Sequence, residues 1–324
     1  MISLPEIKKP IEDNLKEFDK IFESAMHSDS MLLNKIIQYI LKSKGKQMRP
    51  VLVLLSAGMF GQIKESSYTA ATLIELLHTA SLVHDDVVDE SNFRRGFFSV
   101  NALWKNKIAV LVGDYLLSRG MMLALEKSEF KILHLVSDAV KEMSEGELLQ
   151  IQKARMMNIN EEVYYQIIRK KTASLIAACC ASGVASVSEN QEHIDKMKLF
   201  GEYVGLAFQI KDDLLDFDPD NLTGKPAQND LKEQKMSLPL IYTLEKVDFF
   251  EKRKLLSYVK NHGSEKKKVK VIIDRIKSVD GFAYAEKRMT EFRDKALDIL
   301  KEFPDSVYNQ SLEKLVSFTT DRKY

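Results

Sequence analysis

The sequence predicts an all-α protein, and its composition and its apolar spacing both favour that fold class. Glycine and proline are scarce, at 13 and 7 of 324 residues, and no proline occurs between Pro50 and Pro219. Because proline breaks helix interiors, a proline-free stretch of this length that is rich in leucine, alanine, lysine and glutamate favours helices over sheet. Apolar residues also recur at helical spacing through most of the chain.

The apolar spacing places long helices in order along the chain. They are expected near residues 10–25, 30–43, 49–61, 65–90, 106–127, 129–157, 161–186, 190–217, 235–246, 251–261, 265–279, 281–301 and 306–320. Asn160 is the predicted N-cap of the helix over 161–186, because an asparagine side chain can accept a hydrogen bond from the first turn. Several of these helices exceed the usual length of about 11–12 residues, which indicates long helices packed side by side.

No linker rich in glycine, serine or proline divides the chain. The longest break between predicted helices runs from Asp218 to Pro239, and Pro219, Gly224 and Pro226 interrupt it. Long loops in compact domains are often functional. We therefore expect a single domain over residues 1–324.

The charge balance and the cysteines exclude several classes of protein. The net charge is +1, from 48 basic and 47 acidic residues, so no global field favours nucleic acid as a partner. The only cysteines, Cys179 and Cys180, are adjacent in an apolar run, which predicts reduced core residues in a cytoplasmic protein. The N-terminus lacks a signal-peptide core, and no stable membrane insertion is expected.

Two aspartate clusters share one spacing. Residues 85–89 and 212–216 both follow the pattern Asp-Asp-x-x-Asp, with two aliphatic residues in the gap. Helix positions i and i+4 lie about 40° apart, so Asp85 shares a face with Asp89 and Asp212 with Asp216. Mg²⁺ prefers such hard oxygen ligands and completes its shell with water and phosphate oxygens. One cluster alone could be a solvated acidic patch, but two with the same spacing indicate a diphosphate site with several Mg²⁺ ions.

Basic residues lie where a diphosphate would need them. With the aspartates they form a series of short motifs, at residues 45–50 (Gly-Lys-Gln-Met-Arg-Pro), 75–89, 94–96 (Arg-Arg-Gly), 113–114 (Gly-Asp), 170–172 (Lys-Lys-Thr), 208–216, 224–226 (Gly-Lys-Pro) and 230–235. In order and spacing these motifs resemble those of the trans-isoprenyl diphosphate synthases. Together they cover about residues 45–239. The resemblance implies a bundle of long, mostly antiparallel helices around a central cavity.

The resemblance also implies roles for the acidic and basic residues. The Mg²⁺ ligands would come from Asp85, Asp89, Asp212, Asp213 and Asp216, and Asp86 would support the ions. The allylic diphosphate would be bound by Arg94, Lys171, Thr172, Gln209, Lys225 and Lys235. Isopentenyl diphosphate would occupy a separate cationic pocket made by Lys46, Arg49, His78 and Arg95. Homodimers are typical of the family.

In the chemistry that the resemblance implies, the allylic diphosphate ionises and the double bond of isopentenyl diphosphate attacks the resulting cation. Mg²⁺ and the cations would stabilise charge on the departing pyrophosphate. Thr172 and Gln209 would direct oxygen dipoles at the carbocation. No protein general base stands out, so the released pyrophosphate is the expected proton acceptor.

The product is expected to be long, in the hexaprenyl to nonaprenyl range, with octaprenyl diphosphate as the central expectation and a quinone side chain as its use. In the family the growing chain runs beside the helix that precedes the first aspartates. Ala80 and Ser81 are small there, where short-chain relatives carry aromatic residues. The alternative interpretation is that small residues serve helix packing. Deeper candidates for the tunnel floor are Met121, Met122, Leu125, Leu133 and Val136.

Two other functions fit parts of the pattern. A class I terpene cyclase shares the fold, but its second metal motif usually mixes Asn, Ser and Glu, and it has no use for the pocket of Lys46 and Arg49. A catalytically silent subunit of a heteromeric prenyl synthase tends to lose one aspartate cluster, and both are complete here. A prenyl-transfer assay separates the three functions.

Overall fold

The computed structural model describes residues 2–43, 45–94, 96–156, 159–217, 235–262 and 265–321. It confirms the all-α class: within these residues the only strands form one two-stranded hairpin. The helices in chain order are α1 (Leu4–Lys8), a 3-10 turn (Lys9–Ile11), α2 (Glu12–Met26), α3 (Met31–Lys42), α4 (Met48–Phe60), α5 (Glu65–Val88), α6 (Val100–Trp104), α7 (Asn106–Glu126), α8 (Phe130–Met156), α9 (Glu161–Ile168), a π-helical turn (Arg169–Ala173), α10 (Ser174–Ala185), α11 (Gln191–Asp216), α12 (Leu238–Lys246), α13 (Phe249–His262), α14 (Lys266–Ser278), α15 (Gly281–Lys301) and α16 (Val307–Asp321).

The helices that the apolar spacing predicts are present, and their ends have local causes. Asn160 caps α9 as expected, because its side-chain oxygen accepts the backbone N–H of Val163 at 2.9 Å. Helix α12 begins at Leu238, later than the predicted 235, with Ser237 as its N-cap residue and Pro239 in its first turn. Proline is favoured there, because its missing N–H would have no helical partner.

The sequence did not predict the hairpin, which follows the first aspartate cluster. Strands β1 (Phe93–Arg94) and β2 (Phe97–Phe98) pair antiparallel, with Phe93 opposite Phe98. Gly96 lies in the turn with φ at +81°, a conformation that glycine adopts without steric cost. The hairpin therefore depends on one glycine and four strand residues, too short a pattern for periodicity to detect.

The chain divides into two compact units, each built from three separate stretches. Unit 1 contains Met1–Val140, Ala178–Lys198 and Phe303–Leu312, and unit 2 contains Lys141–Ala177, Leu199–Glu302 and Glu313–Tyr324. The single domain expected from the sequence stays a prediction.

The core of unit 1 centres on α5, which packs against α4 and α7. Leu73 and Leu76 of α5 are fully buried, as is Leu116 of α7. Glycines permit the close approach of α7: a Cβ at Gly120 would lie 3.2 Å from Leu73 Cδ1. Seven residues earlier, a Cβ at Gly113 would lie within 2.8 Å of three ring atoms of the α5 residue His84. The positions are two helical turns apart, so they present one small face to α5.

The core of unit 2 joins α12, α14 and α15. Ile241 of α12 and Ile272 and Ile276 of α14 are at most 1% exposed. Helix α15 starts against α12, because a Cβ at Gly281 would lie 2.8 Å from the Pro239 carbonyl oxygen. These contacts fix α12, whose first residue takes part in the site described below.

The two cysteines are free thiols in the core of unit 1. Burial raises the pKa of Cys180 to about 12 and that of Cys179 well above its ordinary value. Because the thiolate is the reactive form, we expect iodoacetamide at pH 8 to leave both thiols of the native protein unmodified. In denaturant both should react, as mass spectrometry would show. Stoichiometric alkylation of the native protein would contradict this burial.

One helix, α7, has the length and composition of a membrane span. Its mean hydropathy is 1.6 over an 18-residue window, and a third of that window is buried inside the protein. Asp114 and Arg119 interrupt its apolar sequence. A core helix of a water-soluble protein passes the same test, so this single helix does not establish membrane insertion.

Candidate active site

The first aspartate cluster lies at the C-terminal end of helix α5 in unit 1. Asp85 and Asp89 are exposed, whereas Asp86 between them is buried, with 3% of its surface accessible. The Asp89 N–H donates to the Asp85 carbonyl oxygen at 2.8 Å, which continues the helical turn and keeps the two exposed residues on one face. The predicted pair of carboxylates on one helix face is therefore present, and that face is exposed.

Asp86 pairs with the first predicted cation, Arg94. The guanidinium Nε and Nη2 atoms both lie 2.7 Å from Asp86 Oδ1. Burial raises the pKa of Asp86, and the Arg94 charge opposes that rise. A buried carboxylate is costly unless it is paired or hydrogen-bonded, and Arg94 provides both. Asp86 thus holds Arg94 next to the outward carboxylates.

The hairpin that carries Arg94 is attached to the end of α5 and to α3. Asn101 donates its side-chain amide to the Asp86 carbonyl oxygen at 3.1 Å. The Tyr39 hydroxyl donates to the Phe98 carbonyl oxygen at 2.7 Å, and the Tyr39 ring contacts Phe97 edge-on. These contacts position a segment that its own two-residue strands could not hold.

A cavity in unit 1 lies beside this hairpin. Its lining includes the predicted isopentenyl-site residue His78 together with Gly45, Gln47, Arg94 and the aromatic residues Tyr39, Phe97 and Phe98. His78 is 8% exposed. Lys46 is exposed in the loop before α4, and Arg49 lies in the first turn of that helix. The fourth predicted member, Arg95, lies outside the described residues.

The second aspartate cluster ends α11 and lines a cavity of about 390 Å³ in unit 2. The same cavity collects the predicted residues Asp212, Asp213, Asp216, Lys171, Thr172, Gln209 and Lys235. They come from α11, the π-helical turn and the segment just before α12. Lys225, the remaining predicted diphosphate-binding residue, lies outside the described residues.

Asp213 is buried at 5% exposure, and the contacts of its carboxylate include the following three hydrogen bonds. The Tyr164 hydroxyl donates to its Oδ2 at 2.8 Å, and the Leu238 backbone N–H donates to the same atom at 3.3 Å. Gln209 donates its side-chain amide to Oδ1 at 3.1 Å, and the Thr172 hydroxyl donates to Gln209 Oε1 at 2.8 Å. Asp212 and Asp216 are half-buried by contrast.

A π-helical turn positions Lys171 and Thr172. The Ser174 N–H donates to the Arg169 carbonyl oxygen, an i to i−5 bond that widens the helix at this point. Such turns inside α-helices frequently occur at functional sites. The predicted helix over 161–186 is therefore present but interrupted where it meets the cavity.

The lysines of this turn pair with different carboxylates. Lys170 contacts Glu142 at 3.0 Å and Glu145 at 2.6 Å. Lys171 forms an ion pair with Glu147, and both side chains are about one-third exposed. The cavity lysine is thus held by an acidic residue of α8.

Gly205 of α11 allows the π-helical turn to approach that helix. A Cβ at this position would lie 2.5 Å from Ala173 Cα. We expect Gly205→Ala to lower the free energy of unfolding by about 1–3 kcal/mol, because the obstruction is backbone. At an open helix position the same substitution would stabilise by about 1 kcal/mol, so the sign of the change in urea denaturation tests the packing.

The predicted chain-length residues lie on α5 at different depths. Ala80 is 2% exposed, and Ser81 is half-buried with its hydroxyl donating to the His78 carbonyl oxygen at 2.8 Å. Val136 is fully buried, whereas Met121, Met122 and Leu125 are 38%, 46% and 45% exposed on unit 1. Those three exposed side chains therefore do not form a floor within the core of unit 1.

Three polar residues were missed from the sequence: Tyr39 and Tyr164, which line the cavities, and Glu147, which pairs with the cavity lysine. Tyr164 had a detectable signal, because it precedes Lys171 by seven residues, or two turns of one helix face. Tyr39 and Glu147 act through contacts with distant segments, Phe98 and Lys171 respectively. Contacts between segments that are distant in sequence cannot be predicted from a local pattern.

Comparison with known proteins places these features in a family. The polyprenyl synthetase family model matches residues 30–276. Octaprenyl diphosphate synthase of Haemophilus influenzae is 34% identical over 100% of this chain and 98% of that protein. All-trans-nonaprenyl-diphosphate synthase (geranyl-diphosphate specific) of Rhodobacter capsulatus is 35% identical over 98% and 97%.

Solved structures with a similar fold also belong to prenyl synthases. The polyprenyl synthase from Caulobacter crescentus CB15, complexed with calcium and isoprenyl diphosphate, matches with a TM-score of 0.91 at 28% identity, covering 99% of this chain and 98% of that one. A decaprenyl diphosphate synthase from Rhodobacter capsulatus matches with a TM-score of 0.92 at 27% identity, covering 99% of each chain. This chain belongs to the polyprenyl synthetase family, whose members are prenyl-transferring enzymes.

Proposed function

We propose that this protein adds isopentenyl diphosphate repeatedly to an allylic diphosphate, such as farnesyl diphosphate, and releases a long all-trans polyprenyl diphosphate, with octaprenyl as the expected product. The observation that carries this proposal is the unit 2 cavity, where carboxylates, lysines and uncharged oxygen groups converge. Relatives named for octaprenyl and nonaprenyl products support a long chain.

We propose Mg²⁺ as the metal, bound by Asp85 and Asp89 in the first cluster and by Asp212 and Asp216 in the second. Within the described residues, no group of three or more His, Cys, Asp or Glu side chains could hold an ion by itself. Carboxylate pairs suit Mg²⁺, which takes one or two protein ligands and fills its shell with water and phosphate oxygens. When bound, the metal would neutralise diphosphate charge and assist its departure.

Lys171 and Lys235 would bind the allylic diphosphate in the unit 2 cavity. Arg94 of unit 1 and Lys225 are the other cations predicted for that substrate. Glu147 holds Lys171 in the structure. A diphosphate carries more negative charge than one carboxylate, so Lys171 would exchange Glu147 for the substrate. Glu147 thereby keeps the lysine close to its binding position.

Bond formation requires an allylic cation beside the double bond of the second substrate. The oxygens of Thr172 and Gln209 would stabilise that cation, while Lys46, Arg49, His78 and Arg95 would hold isopentenyl diphosphate. The pyrophosphate released in the ionisation step accepts the proton, since no protein base is assigned. The new double bond makes the product another allylic diphosphate.

A homodimer in the cytoplasm is the proposed working state. Helix α7 of unit 1 exposes Val110 (41%), Leu111 (55%) and Met122 (46%), an apolar surface that a second copy could bury. Sedimentation velocity should give twice the mass of one chain. The monomer mass at micromolar concentration would reject the dimer.

Pyrophosphate release with each substrate separately tests the coupling reaction. The proposed enzyme releases pyrophosphate from farnesyl diphosphate only when isopentenyl diphosphate is present. A terpene cyclase would release it from the allylic substrate alone, and a silent subunit would release none. Release with farnesyl diphosphate alone at the coupled rate would therefore reject the proposal.

A further inference from the structure

The hydrogen bonds around Asp213 have a fixed direction. A carboxylate accepts hydrogen bonds and donates none, so the group 3.1 Å from Asp213 Oδ1 must be the NH₂ of Gln209. The other end of that amide, Gln209 Oε1, is consequently turned towards Thr172. This orientation follows from the chemistry of the Asp213 carboxylate.

The direction continues to Thr172. Gln209 Oε1 is an acceptor only, so at 2.8 Å the Thr172 hydroxyl must donate its single proton to it. The hydroxyl proton is therefore used in the bond to Gln209. Only the lone pairs of Thr172 Oγ1 remain to interact with another group. Thr172 lines the cavity together with Asp212 and Lys171.

We propose that Asp213 is a positioning residue that sets the polarity of the Thr172 hydroxyl, so that its lone pairs face the allylic cation during ionisation. Tyr164 and the Leu238 N–H brace the carboxylate from its other oxygen. We name Tyr164, Asp213, Gln209 and Thr172 the Asp213 hydrogen-bond chain. This inference rests on the proposed prenyl transfer, because only a cationic centre gains from the negative end of that dipole.

The two oxygens of Asp213 accept hydrogen bonds from Tyr164, Leu238 and Gln209. Asp213 is also 5% exposed, whereas Asp212 and Asp216 are more accessible. A carboxylate has about four lone-pair sites, so these bonds occupy most of them and make Asp213 a poorer metal ligand than its more accessible neighbours. The residues of the second aspartate cluster therefore have two roles. Asp212 and Asp216 would bind the ion, and Asp213 orients the uncharged Gln209 side chain.

A double-mutant cycle between Asp213 and Thr172 tests the inference. In Asp213→Asn the new amide can donate to Gln209 Oε1, so the Gln209 side-chain amide can flip. Its NH₂ then donates to Thr172 Oγ1, and the hydrogen bond between the two residues changes direction. We expect kcat to fall about tenfold to a hundredfold, as for loss of one oriented dipole. In a Thr172→Val background, Asp213→Asn should cause no further loss, because it acts through that hydroxyl. Additive losses in the cycle would overturn the inference.

A binding measurement separates orientation from metal ligation. Calorimetric titration of inorganic pyrophosphate with Mg²⁺ should give a Kd for Asp213→Asn within about twofold of wild type, because the metal ligands are intact. Weakening of that Kd by the same factor as kcat would show that Asp213 binds the metal, and would reject its role as a positioning residue. An inactive wild type with intact pyrophosphate binding would reject the proposed function instead.

Adjacent tyrosines provide a matched pair of variants. Tyr164→Phe removes a donor to Asp213, and we expect kcat to fall about threefold to tenfold with KM for isopentenyl diphosphate unchanged. Tyr165 is the next residue, but its hydroxyl accepts a hydrogen bond from Arg288 Nε at 2.9 Å. It does not belong to the Asp213 hydrogen-bond chain. Tyr165→Phe should leave kcat unchanged. Equal losses in both variants, with equal melting temperatures, would contradict the inference.

Comparison of Thr172→Ser with Thr172→Val separates loss of the hydroxyl dipole from disturbed packing at position 172. Thr172→Ser keeps the hydroxyl and its donation to Gln209, so its kcat should stay within about threefold of wild type, whereas Thr172→Val loses the full effect. If serine fails as completely as valine while both variants melt at the wild-type temperature, the hydroxyl dipole is not what Asp213 orients.

Discussion

Asp85→Asn and Asp212→Asn are each expected to lower kcat by about a thousandfold or more. Each removes an anionic ligand from an outward carboxylate pair, and an amide cannot replace the charge that holds Mg²⁺ against the diphosphate. Loss of one metal contact to the leaving group removes several kcal/mol of transition-state stabilisation, and about 4 kcal/mol is a thousandfold. The effect should exceed that of any other single substitution considered.

The burial of the residues makes this prediction separable from unfolding. Asp85 is exposed and Asp212 half-buried, so both variants should keep the free energy of unfolding within about 0.5 kcal/mol of wild type. Asp138→Asn, an exposed aspartate on α8, is the matched control and should keep full activity. Steady-state rates at saturating Mg²⁺ provide the measurement. A tenfold loss or less in Asp212→Asn would remove that residue from the metal site.

Ser81→Phe is expected to shorten the product by several isoprene units. A growing chain beside α5 would meet the new ring one turn from Asp85 and stop there. Ser81 is half-buried, so an aromatic ring has somewhere to go, whereas Ala80 at 2% exposure does not. Ala80→Tyr would overpack the core and cost about 1–3 kcal/mol, which makes position 81 the better test.

Product length after dephosphorylation, by reversed-phase thin-layer chromatography, measures this effect. Ser81→Ala is the control, because it removes only the bond to the His78 carbonyl oxygen and leaves the space open. It should give the wild-type distribution. An unchanged distribution in Ser81→Phe would exclude the path beside α5.

The helices were predictable because their apolar periodicity is local information. Helix α11 illustrates this: its pattern predicts a helix over 190–217, and the structure places it at Gln191–Asp216. The π-helical turn was not predictable. It depends on tertiary packing, since a Cβ at Gly146 would lie 2.8 Å from the Lys170 Cβ and one at Gly205 would meet Ala173. Glycines on two other helices therefore permit the widened turn.

In the two aspartate clusters, helix spacing predicts the arrangement of the outer carboxylates but not the partners of the middle ones. The i, i+4 spacing predicts that the first and last carboxylates share a face, and the structure has Asp85 and Asp89 exposed together. The resemblance predicts Asp213 as a metal ligand and Asp86 as a residue that supports the ions. Adjacent helix positions are about 100° apart, so Asp86 and Asp213 turn inward. Their partners, Arg94 and Tyr164, lie 8 and 49 residues away.

This parallel gives the two clusters a common design. In each, an inward carboxylate is buried and holds a group that the chemistry needs: a cation in unit 1 and an oriented amide in unit 2. Burial without a partner would be costly for either carboxylate. The motif Asp-Asp-x-x-Asp therefore encodes an outward pair of carboxylates, which are the proposed metal ligands, and an inward anchor.

The central claim, that this is a two-substrate prenyl-coupling enzyme with a long product, is tested most directly by identifying the product. Purified protein would be incubated with Mg²⁺, farnesyl diphosphate and labelled isopentenyl diphosphate, and the extract analysed by mass spectrometry. We predict a linear polyprenyl diphosphate of about eight isoprene units, absent when Mg²⁺ is chelated. A cyclic hydrocarbon, or no incorporation of label by the protein alone, would contradict the account.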